Sequence, residues 1–471
     1  MPIVGKNDEP VDTPRLVIPG KGLVTVEEAK VITEEVKPIA KVKKEEEQPK
    51  LPIRDIVTKK LGNKAVESLG NEFIVCNAGT ITFETSITHN NVFYVPREQA
   101  PYEPYTRLED LSLPDVKQLY DDIYSVVNDF IDVPEDYKCL ITIAIFFTYQ
   151  QHKSHTTPYL YPIGEKSSGK SRVLEIFECL AYRPLLATSI SAPNVIFYLK
   201  DGPVGIILDD EVADSLKYDP DKRSIYKSGY RASGKVPKII TDRNGIKTQT
   251  YSNSFAFKVF DSKYLVEDDQ IVNRCIVIAM TAGKPKYGGF LLNVDLPRFQ
   301  PIRNKLLLWR LFTYSEEYMP ERPKIRIDEI FLPLLKTAKF IGNDEAYDAI
   351  VRIRDQDKIE REEEIRSTLE AKICITLVKL NHTKSSLTFT FKDIFTTLCA
   401  VVKGTIEEKK IITGEFEPIT MNLLGRRLND IFKGKKHQRQ YGDEYIQCYT
   451  FDAEILEKQM DVYHTRTEDL K

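Results

Sequence analysis

Two hydrophobic periods alternate along this chain, and the places where one gives way to the other predict its elements. Residues 72–95 carry β-branched and aromatic positions (Phe73-Ile-Val, Thr80-Ile-Thr-Phe, Asn91-Val-Phe-Tyr-Val) broken by Asn-Ala-Gly and His-Asn-Asn, which predicts three short strands. Residues 111–151 turn to a helical period, with a start signal at Ser112-Leu-Pro114 and a break at Val133-Pro134. A strand over 159–163, a glycine loop, a helix over 170–181, a strand over 185–189, a helix over 192–200 and a strand over 204–208 follow. Such alternation predicts a parallel α/β sheet. The first of these helices places Val173, Ile176, Phe177 and Leu180 on one face and stops before Pro184, while Ser191 and Pro193 open the second.

Beyond the sheet, residues 238–250 alternate around Asn244-Gly245 and give the strongest hairpin signal in the chain. A strand over 254–260 comes next, and Arg274 stands just before another apolar strand. Residues 296–380 are helical, with the charged run 355–366 read as a solvated helix face. A helix over 365–380, a strand over 387–391, helices over 392–401 and 419–432 and a hairpin over 438–451 then repeat the order of a winged helix. There is no internal repeat. The expected organisation is a flexible arm (1–52), a small β-rich element (53–104), a nucleotide-binding core with its preceding helices (105–295), a helical lid or linker (296–362) and the winged helix (363–471).

Composition narrows this picture. The 471 residues are 42% hydrophobic and 29% charged, enough apolar surface for about three domains. Residues 1–52 are the exception, since few aromatics, several prolines and the charged run 41–47 cannot offset their ordering entropy. A net charge of −3 gives no global field for nucleic acid, so any such role rests on local basic patches. The seven cysteines are scattered singly and read as buried thiols in a reducing compartment. No apolar signal core opens the chain, and the longest apolar run, 139–147, is far shorter than the ~20 residues that span a bilayer. A cytoplasmic protein with no membrane partner is expected.

The chemistry centres on Gly164-Glu165-Lys166-Ser167-Ser168-Gly169-Lys170-Ser171, which satisfies the P-loop pattern between a predicted strand and a predicted helix. Its backbone N–H groups and the helix N-terminus can face the β- and γ-phosphates of ATP. Lys170 supplies a point charge, and Ser171 a hydroxyl for Mg²⁺. The plain alternative is a glycine-rich turn with no ligand. About forty residues on, an apolar strand ends in Asp209-Asp210-Glu211. Asp209 would hold the Mg²⁺ shell, and Asp210 or Glu211 would orient or deprotonate the attacking water. An acidic turn is the bland reading. Asp261-Ser262-Lys263 ends the next strand, where a polar side chain could sense the γ-phosphate. Arg274 could reach across a subunit boundary to that phosphate, or simply pair with Asp268 or Asp269.

Basic side chains gather in two further places. Arg243 and Lys247 lie at the predicted hairpin tip. Arg426, Arg427, Lys433, Lys435, Lys436, His437 and Arg439 run from the second helix of the winged helix into its wing, with only Asp430 interrupting. Such a helix enters the major groove and such a wing meets phosphates. Alternatively, this is the solvated surface of a protein-binding winged helix. His152, His155 and His437 lack the partners of a metal site.

The order of motifs resembles the ASCE/AAA+ class, and more closely the P-loop ATPases of the superfamily 3 and MCM kind found in replication proteins of plasmids, viruses and integrated elements. The resemblance covers roughly residues 110–350. It rests on Pro158-Tyr-Leu, Gly164 to Ser171, Ile206 to Glu211, Lys227-Ser-Gly-Tyr-Arg231, Val272-Asn-Arg274-Cys-Ile-Val and Ile330-Phe-Leu-Pro-Leu-Leu-Lys-Thr-Ala338. It implies an α/β P-loop core with helical flanks, ATP and Mg²⁺ as cofactors, and a ring, usually hexameric, in which Arg274 completes a neighbour's site. It also implies that the hairpin around Asn244 projects into the ring channel and grips DNA, and that Arg326 falls near a second sensor position. Two departures stand out. Relatives in mobile elements often carry a primase-polymerase domain upstream, for which residues before 105 offer neither room nor an acidic constellation, and the acidic triplet leaves its register ambiguous by one residue. The expected function is an ATP-driven, ring-forming DNA helicase or translocase in replication of a mobile element, with DNA, its own copies and other replication proteins as partners. A DNA-binding ATPase switch without unwinding (an initiator, loader or partition factor) is the alternative; a structural or defence ATPase with a protein-binding winged helix is a third.

Overall fold

The computed structural model describes residues 15–18, 22–25, 51–97, 108, 110–188, 190–200, 202, 204–241, 245, 247–317, 323, 325–384 and 386–465. Met1–Pro52 and Ile53–Lys471 form two units. In the first, β1 (Arg15–Ile18) and β2 (Gly22–Thr25) pair antiparallel with Arg15 opposite Thr25. Most of the predicted arm lies outside the described residues.

The second unit opens with β3 (Ile53–Ile56), β4 (Thr58–Leu61), β5 (Lys64–Leu69), β6 (Glu72–Asn77), β7 (Thr80–Glu84), β8 (Ile87–His89) and β9 (Val92–Pro96). β4 to β7 form an antiparallel meander, and β9 lies between β3 and β8. Three strands were expected here. Of the extra ones, β4 and β5 escape pattern reading because Lys59, Lys60, Lys64 and Glu67 interrupt the apolar alternation. Glu67 is nevertheless fully buried, with Arg183 and Arg310 each 3.7 Å from its carboxylate and the Tyr182 hydroxyl donating to it. Ala65, Ile74 and Cys76 join the main core, while Val66, Phe73, Val75 and Tyr94 make a smaller one.

Two helices follow, α1 (Val116–Phe130) and α2 (Glu135–Gln150). Asp115 caps α1 by accepting from the backbone N–H groups of Lys117 and Gln118. Pro134 marks the break before α2, whose residues are buried almost all round, as a central core helix requires.

The sheet region runs β10 (Tyr159–Ile163), α3 (Lys170–Leu180), β11 (Pro184–Thr188), α4 (Ala192–Leu199), β12 (Ile206–Asp210), α5 (Val212–Tyr218), α6 (Pro220–Ser228), β13 (Lys235–Thr241), β14 (Lys247–Asn253), β15 (Lys258–Phe260), α7 (Asp269–Val272) and β16 (Cys275–Ala279). Its five parallel strands are ordered β11-β12-β15-β10-β16, so β15 separates the strand before the glycine loop from the strand that ends in acids. β12 starts and ends two residues later than predicted. β15 is shorter than predicted because the backbone ahead of it is engaged elsewhere: Ser254 N–H bonds Gly234 O, Ala256 N–H bonds Gly229 O and Phe257 N–H bonds the Gln151 side chain. β13 and β14 form a separate hairpin.

Helices α8 (Phe299–Thr313), α9 (Arg326–Phe340) and α10 (Asp344–Ser367) contribute to the core shared with α1, α2 and α3. Trp309 meets Phe146 edge-on at 5.1 Å. The chain ends in α11 (Leu369–Lys384), β17 (Thr388–Thr390), α12 (Phe391–Val401), β18 (Thr405–Glu407), β19 (Lys410–Ile412), β20 (Ile419–Thr420), α13 (Met421–Asp430), β21 (Lys435–Tyr441), β22 (Glu444–Thr450) and α14 (Ala453–Val462). β22 lies between β17 and β21, over a separate core that includes Phe389, Leu398, Leu424 and Tyr449. α13 begins at Met421, later than predicted, because Ile419 and Thr420 pair with β19 and Thr420 caps the helix.

Candidate nucleotide and nucleic-acid sites

The glycine loop leaves β10 and turns into α3 through backbone that favours glycine. Gly164 has φ +156°, and a Cβ there would lie 2.3 Å from Met280 O; Gly169 has φ +92°. Ser167 also takes a left-handed conformation, at φ +66°. Lys170 folds back over the loop, its Nζ donating to Gly164 O at 2.8 Å and Glu165 O at 3.0 Å. Ser168 Oγ is buried without a hydrogen-bond partner among the described residues. A cleft of about 600 Å³ opens beside the loop, with Phe130, Ile131 and Met280 contributing apolar wall and Ser167 to Arg172 the polar end. Arg172 fixes its far side by donating to Phe290 O at 2.9 Å and Gly288 O at 3.1 Å. A loop that can present N–H groups, a lysine and an unpaired buried hydroxyl beside a cleft of this size fits a nucleotide with its phosphates at the polar end.

Ser171 Oγ donates to Asp261 Oδ2 at 2.9 Å. Burial pushes the Asp261 carboxyl up; the Ser171 hydrogen bond and the Lys170 charge pull it back, and the charges of Asp210 and Glu211 raise it further. The strands' alternation explains this grouping. Ile206 and Leu208 pack in the core that holds α3, as do Phe257 and Val259, so Asp210 and Asp261 continue that face. Ile207 and Phe260 belong to the opposite face, and Asp209 goes with them. There Asp209 is fully buried, 2.6 Å from Lys222 Nζ, and accepts from the Tyr226 hydroxyl at 2.7 Å. Burial raises its pKa and Lys222 counteracts that shift. Asp209, expected beside Mg²⁺, thus lies on the face of the sheet away from the loop, with its charge paired to a buried lysine. Lys222 was not anticipated; in the sequence it is one lysine on a short polar helix. Glu211 follows with φ +53°, a strained conformation for a non-glycine residue that turns the chain from β12 into α5.

Among the described residues, no three His, Cys, Asp or Glu side chains converge as a metal cage. Mg²⁺ needs none, since it keeps several waters and takes one or two protein oxygens together with phosphate oxygens. The oxygens of Ser171, Asp210 and Glu211 have the required hardness. Ser262 Oγ bonds the Tyr161 hydroxyl at 2.7 Å, and Lys263 pairs with Glu165 at 3.0 Å.

Arg274 is not brought to the loop of its own chain. Cys275 lies opposite Tyr159 at the start of the paired strands, whereas the loop begins after Ile163, opposite Ala279. Five residues of strand separate the two levels by roughly 16 Å. The Arg274 guanidinium sits 4.7 Å from the Tyr230 ring centre, which Arg326 and Arg231 also approach, at 4.4 and 5.0 Å. Glu329 answers Arg326 at 3.1 Å and Arg231 at 3.4 Å. Burial lowers the pKa of Arg274, and the Arg326 charge adds to that. Asp268, the expected bland partner, instead takes Lys227 at 2.7 Å.

In the β13–β14 hairpin, Thr241 stands opposite Lys247, which is exposed. Arg243 and Asn244 lie outside the described residues. In the C-terminal region Arg426, Lys435, Lys436 and Arg439 are exposed, while Arg427 is partly buried and pairs with Glu370 at 3.1 Å. All seven cysteines are buried and unpaired. No described helix is long and apolar enough to cross a membrane.

No family model and no curated protein matches the chain. Among solved structures it is similar to the C-terminal region of NrS-1, with 12% identity over 83% of this chain and 97% of that one and a TM-score of 0.35. It is similar to the SCCmec type IV Cch protein, described as an active helicase, with 12% identity over 86% of this chain and 80% of that one and a TM-score of 0.35. A full-length MCM homolog from Methanopyrus kandleri is 12% identical over 63% of this chain and 74% of its own, with a TM-score of 0.34. Likenesses at this level are too loose to carry a function, and what the site can do follows from its own atoms.

Proposed function

We propose that the chain is a Mg²⁺-dependent ATPase that works as a ring-forming motor, a helicase or translocase, on DNA in replication of a mobile element. The observation that carries this reading is the loop from Gly164 to Ser171, with Lys170 folded over it and Ser171 bonded to Asp261 on the sheet face shared with Asp210. The loop N–H groups and Lys170 hold the β- and γ-phosphates. Ser171 and Asp210 would hold the cation, and Glu211 would orient or deprotonate the attacking water. Asp261 faces the γ-phosphate as its sensor. Mg²⁺, bound with ATP, neutralises phosphate charge.

The place of Arg274 supports the ring reading. It lies at the opposite end of the sheet from its own loop, so a phosphate that it neutralised would belong to a neighbouring copy. In this reading the β13–β14 hairpin lines the channel, with Arg243 and Lys247 on the DNA backbone. The region from α11 to α14 acts as a winged helix, with Arg426 and Arg427 toward the groove and Lys435, Lys436 and Arg439 on phosphates. The test is ATP turnover and strand separation with single- and double-stranded DNA. Turnover that DNA raises, accompanied by unwinding or movement, supports the motor; nucleotide-dependent DNA binding with neither would make the chain a switch.

A further inference from the structure

We propose that Arg361 is a positioning residue for Arg274, holding the Asn273 side chain on one side of it and the Cys275 carbonyl on the other so that its guanidinium meets a neighbour's phosphate. The proposal rests on the reading of Arg274 as the group that completes a neighbouring site. Arg361 lies near the end of α10, within the charged run that the sequence presents as a solvated face. Its side chain instead turns inward. Nη1 donates to Asn273 Oδ1 at 3.3 Å and Nη2 donates to Cys275 O at 3.1 Å, so the two residues flanking Arg274 are bonded to one guanidinium. Asp357, one helical turn earlier, accepts from Arg361 Nε at 2.8 Å and sets the fork's orientation.

Two features make this contact matter for Arg274. Cys275 opens β16, an edge strand, so the carbonyl that Arg361 takes has no further strand to pair with. The Arg274 side chain has no carboxylate partner among the described residues; it rests on the Tyr230 ring, where Arg326 brings a like charge. Its own backbone is held by Ile271 O, which accepts from its N–H, and by Tyr159 N–H, which donates to its carbonyl, while Arg361 anchors the residues on either side of it. A pocket of about 540 Å³ runs beside these residues, with Arg274, Arg326, Lys358, Arg361 and the carboxylate of Glu362 in its lining. Its excess of cations leaves room for an anionic group presented by another subunit.

The experiment measures kcat, KM, ATP affinity and melting temperature of the full chain carrying Arg361→Ala, Arg361→Lys or Arg274→Ala. Arg361→Ala should lower kcat at least tenfold with KM and ATP affinity close to wild type, because the glycine loop is untouched. Arg361→Lys, which reaches the Cys275 carbonyl but lacks the planar fork, should recover part of that loss. Co-assembled rings give the sharper reading. Arg361→Ala subunits mixed with Lys170→Ala subunits should regain partial turnover, and mixed with Arg274→Ala subunits should not. Wild-type turnover in Arg361→Ala beside an inactive Arg274→Ala overturns the positioning role alone. A loss matched by weakened ATP binding, or shared fully by Arg361→Lys, also overturns it. Wild-type turnover in Arg274→Ala overturns the reading on which the proposal rests.

Discussion

The Ser171 hydroxyl donates to Asp261 Oδ2 across 2.9 Å, joining the last residue of the glycine loop to the end of the strand beside it. That bond marks the face of the sheet that looks toward the loop, a face that Asp210 continues and Asp209 does not.

Asp209 and its two successors should accordingly behave differently. Asp209→Asn leaves the Lys222 ammonium buried without its counter-charge and should cost about 3 to 5 kcal/mol of stability in denaturant unfolding. Asp210→Asn and Glu211→Gln should unfold like wild type and bind ATP, yet fail to hydrolyse it. An Asp209→Asn protein of wild-type stability that had lost Mg²⁺-dependent turnover would reverse the assignment.

The exposed cations of β21 give a prediction in salt. Replacing Lys435, Lys436 and Arg439 together by alanine should flatten the log–log salt dependence of duplex binding by about 2.7, at about 0.9 per lost phosphate contact. Basal ATP turnover should hold. Arg427→Ala should change the slope less, because Arg427 already pairs with Glu370. An unchanged slope in the triple variant would mean that β21 faces another partner.

Stability should fall on mild acidification. His152 stacks on Tyr314 at 4.4 Å and its Nδ1 lies 2.7 Å from Arg310 Nη1. Burial and the Arg310 charge hold its pKa well below 6.5. The folded chain thus resists protonation that the unfolded chain accepts near pH 6.5. The stability from the neutral ring is present above that pH and is lost as pH falls toward the folded value, by up to about 1.4 kcal/mol per pH unit. Urea unfolding at pH 7 and pH 5.5 reads this, and His152→Gln should shallow the dependence. Equal slopes in both proteins would assign the acid sensitivity to other groups.

The hairpin separates a motor from an ATPase that merely binds DNA. Arg243→Ala with Lys247→Ala should leave basal turnover and assembly intact while removing stimulation by DNA and any unwinding. Full stimulation in that double variant would move the DNA path away from the hairpin.

What could be read in the sequence is what local spacing determines. The loop from Gly164 to Ser171 announces its geometry because each glycine and the lysine stand at fixed offsets, and β10, α3, β11 and α4 follow from apolar periods that their neighbours do not override. The pairing of Ser171 with Asp261 was out of reach, since it depends on β15 lying between β10 and β12, and strand order is not a local property. A shift of two residues in the start of β12 moves the strand's end from Leu208 to Asp210 and resolves the facing of the acids. Glu67, Lys222 and Arg361 look like surface charges in sequence; each is turned inward by a partner far along the chain or one turn away, which period counting cannot register.

The most direct test is Mg²⁺-dependent ATP hydrolysis by the wild-type chain and by Lys170→Ala, each with and without DNA. The wild type should turn over ATP only with Mg²⁺ and faster on DNA, and Lys170→Ala should bind ATP weakly and release no phosphate under any condition. Equal turnover by the two proteins, or a wild type that neither binds nor hydrolyses ATP, would contradict the account.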